Sequence, residues 1–167
     1  IRFLCDRHFG IGGDGLIRLT KPEFVSDLSD EQIMAVQAGD AEWFMDYRNA
    51  DGSLAEMCGN GTRAITLFAQ REGVADSTEP FRLGTRAGVK ILTPRGNVKP
   101  YGANVFQVEM GEWKIGETDA YEVTIPGNDG SARGTFVDMG NPHVVAVIED
   151  AFSTLPVVGD LDLVTKP

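Results

Sequence analysis

Between Tyr47 and Ala64 the chain reads YRNADGSLAEMCGNGTRA, with a single thiol, Cys58, between an Asn-Ala-Asp-Gly turn and a Gly-Asn-Gly tripeptide. A cysteine reacts as its thiolate, and the start of a helix favours that anion, because unpaired N–H groups and the positive end of the dipole lie there. The run Thr62 to Gly73 reads as one helix, which sets Cys58 just before such a start. The backbone donors of Gly59, Asn60 and Gly61 fall at the same end, so a carboxylate can be held beside the sulfur. A free cysteine is also commonly no more than a small buried hydrophobe. Glycines on both sides would pack such a residue poorly, whereas a ligand approaching the backbone needs them, and the reactive reading is preferred.

A second cluster, Gly140-Asn141-Pro142-His143, lies between two strand-like runs, Thr135 to Met139 and Val144 to Glu149. Asparagine before proline is pushed to an extended backbone, which presents its amide at a fixed angle. His143 is a structural histidine unless the fold brings it to Cys58, where an imidazole takes a thiol proton or steadies the thiolate. His8, beside Arg7, reads as a surface or core-edge polar group. Gly10 to Gly15 (GIGGDG) matches G-x-G-x-x-G. A dinucleotide fingerprint would follow a strand and open a helix, and here Leu16 to Thr20 reads as extended, so a glycine-rich turn feeding a strand fits better.

The elements that must position these residues are set by pattern. Ile1 to Phe9 reads as a helix end stopped by Gly10, and Lys21 to Asp40 as a polar surface insertion with one helix, Asp30 to Ala38, behind a Ser29 cap. Glu42 to Arg48 alternates in part, Phe44 breaking the pattern, and reads as a strand delivered into the Asn49–Ser53 turn. In the helix, Ala64, Ile65, Leu67, Phe68 and Ala69 form an apolar face wide enough to predict a central helix with sheet around it, ended at Gly73. Strands are expected at Phe81 to Arg86, Val89 to Thr93, Val105 to Met110 and Tyr121 to Ile125, before the two flanking the second cluster. Turns are read at Ala87-Gly88, Pro94 to Asn97 and Pro126 to Gly130. Close spacing with few helices predicts antiparallel or mixed sheet in place of βαβ crossovers.

With 167 residues, 42% hydrophobic, the chain builds one domain or one plus part of another, a change falling near Met110-Gly111. A net charge of −10 with no Lys/Arg block argues against nucleic acid and an anionic membrane surface. Two cysteines, Cys5 and Cys58, make no disulfide framework and have no metal-ligand spacing, which fits a reducing cytoplasm. These residues include no signal-like or long apolar segment. The chain opens on Ile1 and closes on Pro167 soon after a strand-like run, and it is expected to be part of something longer.

The stretch Asn49 to Ser53 with Met57 to Arg63, preceded by Asp6-Arg7 and Gly10 to Gly15 and followed by Gly140 to His143, resembles the diaminopimelate epimerases. The resemblance implies an α/β (α+β) fold of two pseudo-symmetric lobes, each a curved, mainly antiparallel sheet around a central helix. Residues 1–110 would be the first lobe and 111–167 the start of the second. It implies interconversion of LL- and meso-diaminopimelate, for lysine and peptidoglycan precursors, with neither pyridoxal phosphate nor a metal. Two cysteines would work on opposite faces of the α-carbon. Cys58 matches the first of them. Gly59 and Asn60 match the residues whose backbone holds the reacting carboxylate, Asn49 and Asn141 the amides binding the distal end, and His143 a histidine that tunes the thiols. A homodimer is expected from the family.

A second cysteine in a glycine-lined helix start is missing from these residues, and Cys5, in Leu4-Cys5-Asp6-Arg7, is read as buried structure. The chain by itself is therefore expected to lack epimerase activity. The rivals are a proline or hydroxyproline racemase, which would carry His in place of Asn60, and a phenazine-type isomerase, with a carboxylate in place of Cys58. A non-catalytic amino-acid-binding fragment stands beside them. A thiol hydrolase built on Cys58 and His143 lacks a third orienting group.

Overall fold

A computed structural model describes residues 1–125, 129–139 and 142–148. The chain divides into two compact units, Ile1–Gly111 and Glu112–Pro167.

The first unit begins with a short helix, α1 (Arg2–Cys5), and a glycine-rich loop that runs into strand β1 (Gly15–Thr20). A single 3-10 turn (Pro22–Phe24), α2 (Asp30–Ala38), β2 (Trp43–Asn49) and α3 (Gly59–Arg71) come next, then β3 (Phe81–Thr85), β4 (Gly88–Val98) and β5 (Gly102–Glu109). The five strands form one sheet in chain order. All pairings are antiparallel except β2 with β3, which run parallel on either side of α3. The sheet is mixed as expected, but it does contain one βαβ unit: α3 needs a crossover to leave β2 and return beside it.

Two apolar cores lie on opposite faces of this sheet, and β2 explains both. Neighbouring strand residues point to opposite faces. Met45 joins Ile65, Leu83 and Leu92 under α3, while Phe44 joins Val25, Val36 and Ala41 under α2. The residue that broke the alternation is therefore the anchor of a second core. Residues 21–40 are not a surface insertion: Val25 and Val36 are buried and cover the second face. Helix α2 itself starts as expected, on a capping box in which the Ser29 hydroxyl accepts from Gln32 N–H while the Gln32 side chain accepts from Ser29 N–H.

Ions tie that cover down. Asp46, on the Phe44 face, accepts from Arg86 at 2.8 Å and from Arg18 and Arg48 at 3.1 Å. Asp27, from the covering segment, takes Arg48 at 3.0 Å and Arg86 at 3.1 Å.

Helix α3 begins three residues before the expected Thr62, because Cys58 caps it and Thr62 Oγ1 donates to the Gly59 carbonyl at 2.8 Å. It ends in a Schellman pair, Gly73 N–H to the Gln70 carbonyl and Val74 N–H to the Ala69 carbonyl, with Gly73 at φ 70°. Its buried stripe is narrower than predicted: Gly61, Thr62, Ile65, Thr66 and Ala69 are covered, whereas Ala64 and Phe68 are exposed. Strands β1, β2, β4 and β5 all pack against the helix, as a curved sheet around it requires.

Pro94 to Asn97 is no turn but part of β4, where the register with β5 shifts between Pro94 and Gly96 and again between Gly96 and Val98. Irregular pairing accommodates the proline inside the ladder.

In the second unit, β8 (Ala132–Asp138) is the central strand. A two-residue strand that the sequence did not disclose, β6 (Lys114–Ile115), pairs with its C-terminal end, and β7 (Tyr121–Val123) with its N-terminal half. Strand β9 (Pro142–Ala146) runs antiparallel along its length. Among the described residues no helix is long and apolar enough to cross a membrane.

Candidate functional site

Cys58 is the N-cap of α3, with extended backbone (φ −141°, ψ 114°), and its carbonyl accepts the first bond of the helix from Thr62 N–H at 2.8 Å. Its sulfur accepts from Gly61 N–H at 3.3 Å. Of the three donors expected to await a ligand, that of Gly61 is thus occupied by the thiol. The N–H groups of Gly59 and Asn60 have no protein partner among the described residues, as the first turn of a helix dictates. Cys58 is half-buried, packed at the edge of the core formed by Met45, Ile65, Leu83 and Leu92, whereas Cys5 is buried.

Gly61 is a close-approach glycine. A Cβ there would lie 2.8 Å from Ile17 Cδ1 and 3.3 Å from Cys58 Cβ. Alanine is the better helix former by about 1 kcal/mol, and overpacking costs roughly 1–3 kcal/mol. Gly61→Ala is therefore expected to lower stability by about 1 kcal/mol, read from urea midpoints, and to change the alkylation rate of Cys58, whose sulfur would sit 3.5 Å from the new methyl.

The other amide of the first unit sits at the end of β2. Asn49 pairs opposite Gly15, its Nδ2 donates to Ser53 Oγ at 3.0 Å, and its N–H donates to the Ser53 carbonyl at 3.0 Å. Asp51 holds the same turn by accepting from Ser53 N–H at 2.9 Å. Strand alternation puts Asn49 on the face of Tyr47 and Met45, the face on which α3 lies. The fold therefore brings Asn49, Gly59 and Asn60 to the same side of the sheet as the thiol. The Asn60 side chain accepts from the Arg63 guanidinium and is exposed.

His143 lies in the second unit, exposed on β9 and opposite Val137 of β8. Asn141 lies outside the described residues. The glycine-rich loop feeds β1 and no helix, as read. Arg7 straps it, donating to the Gly12 carbonyl at 3.2 Å and to Asp14 at 2.5 Å.

Sequence reasoning misses Tyr47, which reads there as one apolar position of a strand. Its ring lies against the backbone of Gly15, at whose position a Cβ would come within 2.5 Å of Tyr47 Cε2. The signal was its place two residues before Asn49, on the same face. A groove of about 460 Å³ runs between α3 and β5, lined by residues including Ala64, Leu67, Tyr101 and Phe106. Cys58 does not line it.

Fold and site together define a mixed α/β protein that presents a half-buried thiol as the N-cap of a sheet-packed helix. The sequence model of the diaminopimelate epimerases matches residues 1–115. Relatives called diaminopimelate epimerase include one from Thermobifida fusca, 40% identical over 84% of this chain and 47% of its own length. One from Corynebacterium aurimucosum is 41% identical over 87% and 50%, and one from Rhodococcus erythropolis is 35% identical over 98% and 53%. A solved structure of a Bacillus anthracis phenazine biosynthesis protein of the PhzF family aligns with 71% of this chain and 46% of that one, at a TM-score of 0.47 and 17% identity. The chain belongs to the diaminopimelate epimerase family. It spans about half the length of the curated relatives it matches.

Proposed function

We propose that this chain carries one half of the site for epimerising LL- to meso-diaminopimelate without a cofactor, in the supply of lysine and peptidoglycan precursors. The observation that carries the reading is Cys58 capping α3 beside the unpaired N–H groups of Gly59 and Asn60. The α-proton of an amino acid is very weakly acidic, so its removal requires the negative charge developing on the carboxylate to be met by fixed donors. Gly59 and Asn60 provide them, and the Cys58 thiolate takes the proton. Asn49 and Asn141 bind the distal amino-acid end, with Asn49 released from its bond to Ser53 when substrate arrives. His143 tunes the thiols.

One base returns a proton to the face it came from, so inversion demands an acid opposite. Cys5 is buried in α1 and does not supply it. The two units are assigned as the first lobe and the start of the second, and the chain by itself binds diaminopimelate without inverting it. Working in the cytoplasm as a homodimer, the whole enzyme would supply the second thiol.

The test is isothermal calorimetry of the chain with LL-diaminopimelate and with proline. Heat of binding with diaminopimelate and none with proline is expected. Binding of proline alone would assign the site to the racemase plan instead.

A further inference from the structure

Tyr47 is a polar residue on the α3 face of the sheet that the family resemblance leaves without a role. Its position is set by three neighbours. It pairs directly with Ile17 across β1 and β2, Ile17 lies against the position of Gly61, and the Tyr47 ring lies over Gly15, whose absent Cβ leaves room for it. The ring edges the same core as Cys58, and the hydroxyl end stays within charge–charge range of the thiols of Cys58 and Cys5 and of the Asp14 carboxylate. Among the described residues that hydroxyl has no hydrogen-bond partner. The hydroxyl is not among the buried unpartnered polar atoms, so it stays within reach of solvent and can donate to a ligand that arrives beside it.

We propose that Tyr47 is a substrate-binding residue of the Cys58 site, donating its hydroxyl proton to the carboxylate of an amino acid held at Gly59 and Asn60. Its companions on the face are suited to that. Gly59 and Asn60 offer N–H groups to a carboxylate, and a phenol adds a third neutral donor without adding charge beside a thiolate. Burial first, and then the charges of Cys58, Asp14 and Cys5, hold the phenol proton above its ordinary range, so the group stays a donor throughout the working pH.

The inference rests on the proposed function, and its test separates the two. Cys58 of the purified chain is alkylated with iodoacetamide in increasing LL-diaminopimelate, and labelling is read peptide by peptide, so that Cys5 is scored apart. In the wild type, diaminopimelate protects Cys58. In Tyr47→Phe, which keeps the ring and its packing, the half-protecting concentration rises about five- to tenfold, the size of one lost hydrogen bond. The alkylation rate without ligand and the melting temperature stay unchanged, which a merely structural role for the phenol would not produce. Equal protection of wild type and Tyr47→Phe overturns the Tyr47 assignment and leaves the site reading standing. A wild type that diaminopimelate does not protect overturns both.

Discussion

In any form of the protein that turns over diaminopimelate, Cys58→Ser is expected to lower exchange of the α-proton with deuterated water by roughly 10²–10⁴-fold, the usual contribution of a positioned acid–base group. A serine hydroxyl fits the N-cap as well as a thiol does, since serine is among the favoured capping residues, so α3 survives the change. What is lost is the base: a hydroxyl at neutral pH holds its proton far more tightly than a thiol. The variant should therefore melt with the wild type, bind diaminopimelate as before, and exchange almost nothing. Proton NMR of the α-position in deuterated buffer measures it. Undiminished exchange would remove Cys58 from the chemistry altogether.

The second large effect concerns stability. Asp46→Asn is expected to cost about 3 kcal/mol, the lower end of the penalty for removing one partner of a buried ion pair. The lower end applies because Arg18 is half exposed and Asp27 remains to share Arg86. Arg86 is the residue left stranded. Its side chain is 7% exposed, its Nη1 is buried without a partner, and Asp46 is its shortest ion contact at 2.8 Å.

The pH dependence has a definite sign. Burial by itself would raise the Asp46 carboxyl, but the hydrogen bond from Arg86 and the charges of Arg48 and Arg86 outweigh it and hold the group below its ordinary 3.8. A carboxyl depressed in the folded state contributes stability that is present above its unfolded value and is lost as pH falls through the folded one. Urea midpoints of wild type and Asp46→Asn should therefore differ fully at pH 7 and converge below pH 3.8. A gap that persists undiminished in acid would mean the ion cluster is not its source.

How much of this was legible beforehand varies residue by residue, for physical reasons. Helix α2 could be read to its ends because its signals are local: a serine cap, a glutamine three residues on, a glycine after Ala38. The role of its segment could not, since Val25 and Val36 become core only once the sheet offers them a second face. Phe44 was legible as an anomaly and illegible as an anchor for the same reason. The parallel pairing of β2 with β3 depends on where α3 lands, a long-range fact. In the site, Cys58 and its glycines carried a strong local signature, but α3 begins at Gly59, three residues before the expected Thr62, because cysteine is not among the residues that ordinarily signal an N-cap. Tyr47 was hidden because a tyrosine in a strand reads as packing. Only the register that sets it over Gly15 and opposite Ile17 brings its hydroxyl to the thiol side.

The most direct measurement of the central claim is the alkylation of Cys58, tracked by peptide mass, in the presence of LL-diaminopimelate, with proline as the control. Diaminopimelate should slow labelling of Cys58 in proportion to its concentration, proline should not, and Cys5 should label slowly throughout. If Cys58 labels at one rate in buffer, proline and diaminopimelate alike, the carboxylate is not held at Gly59 and Asn60 and the thiol does not face an amino acid.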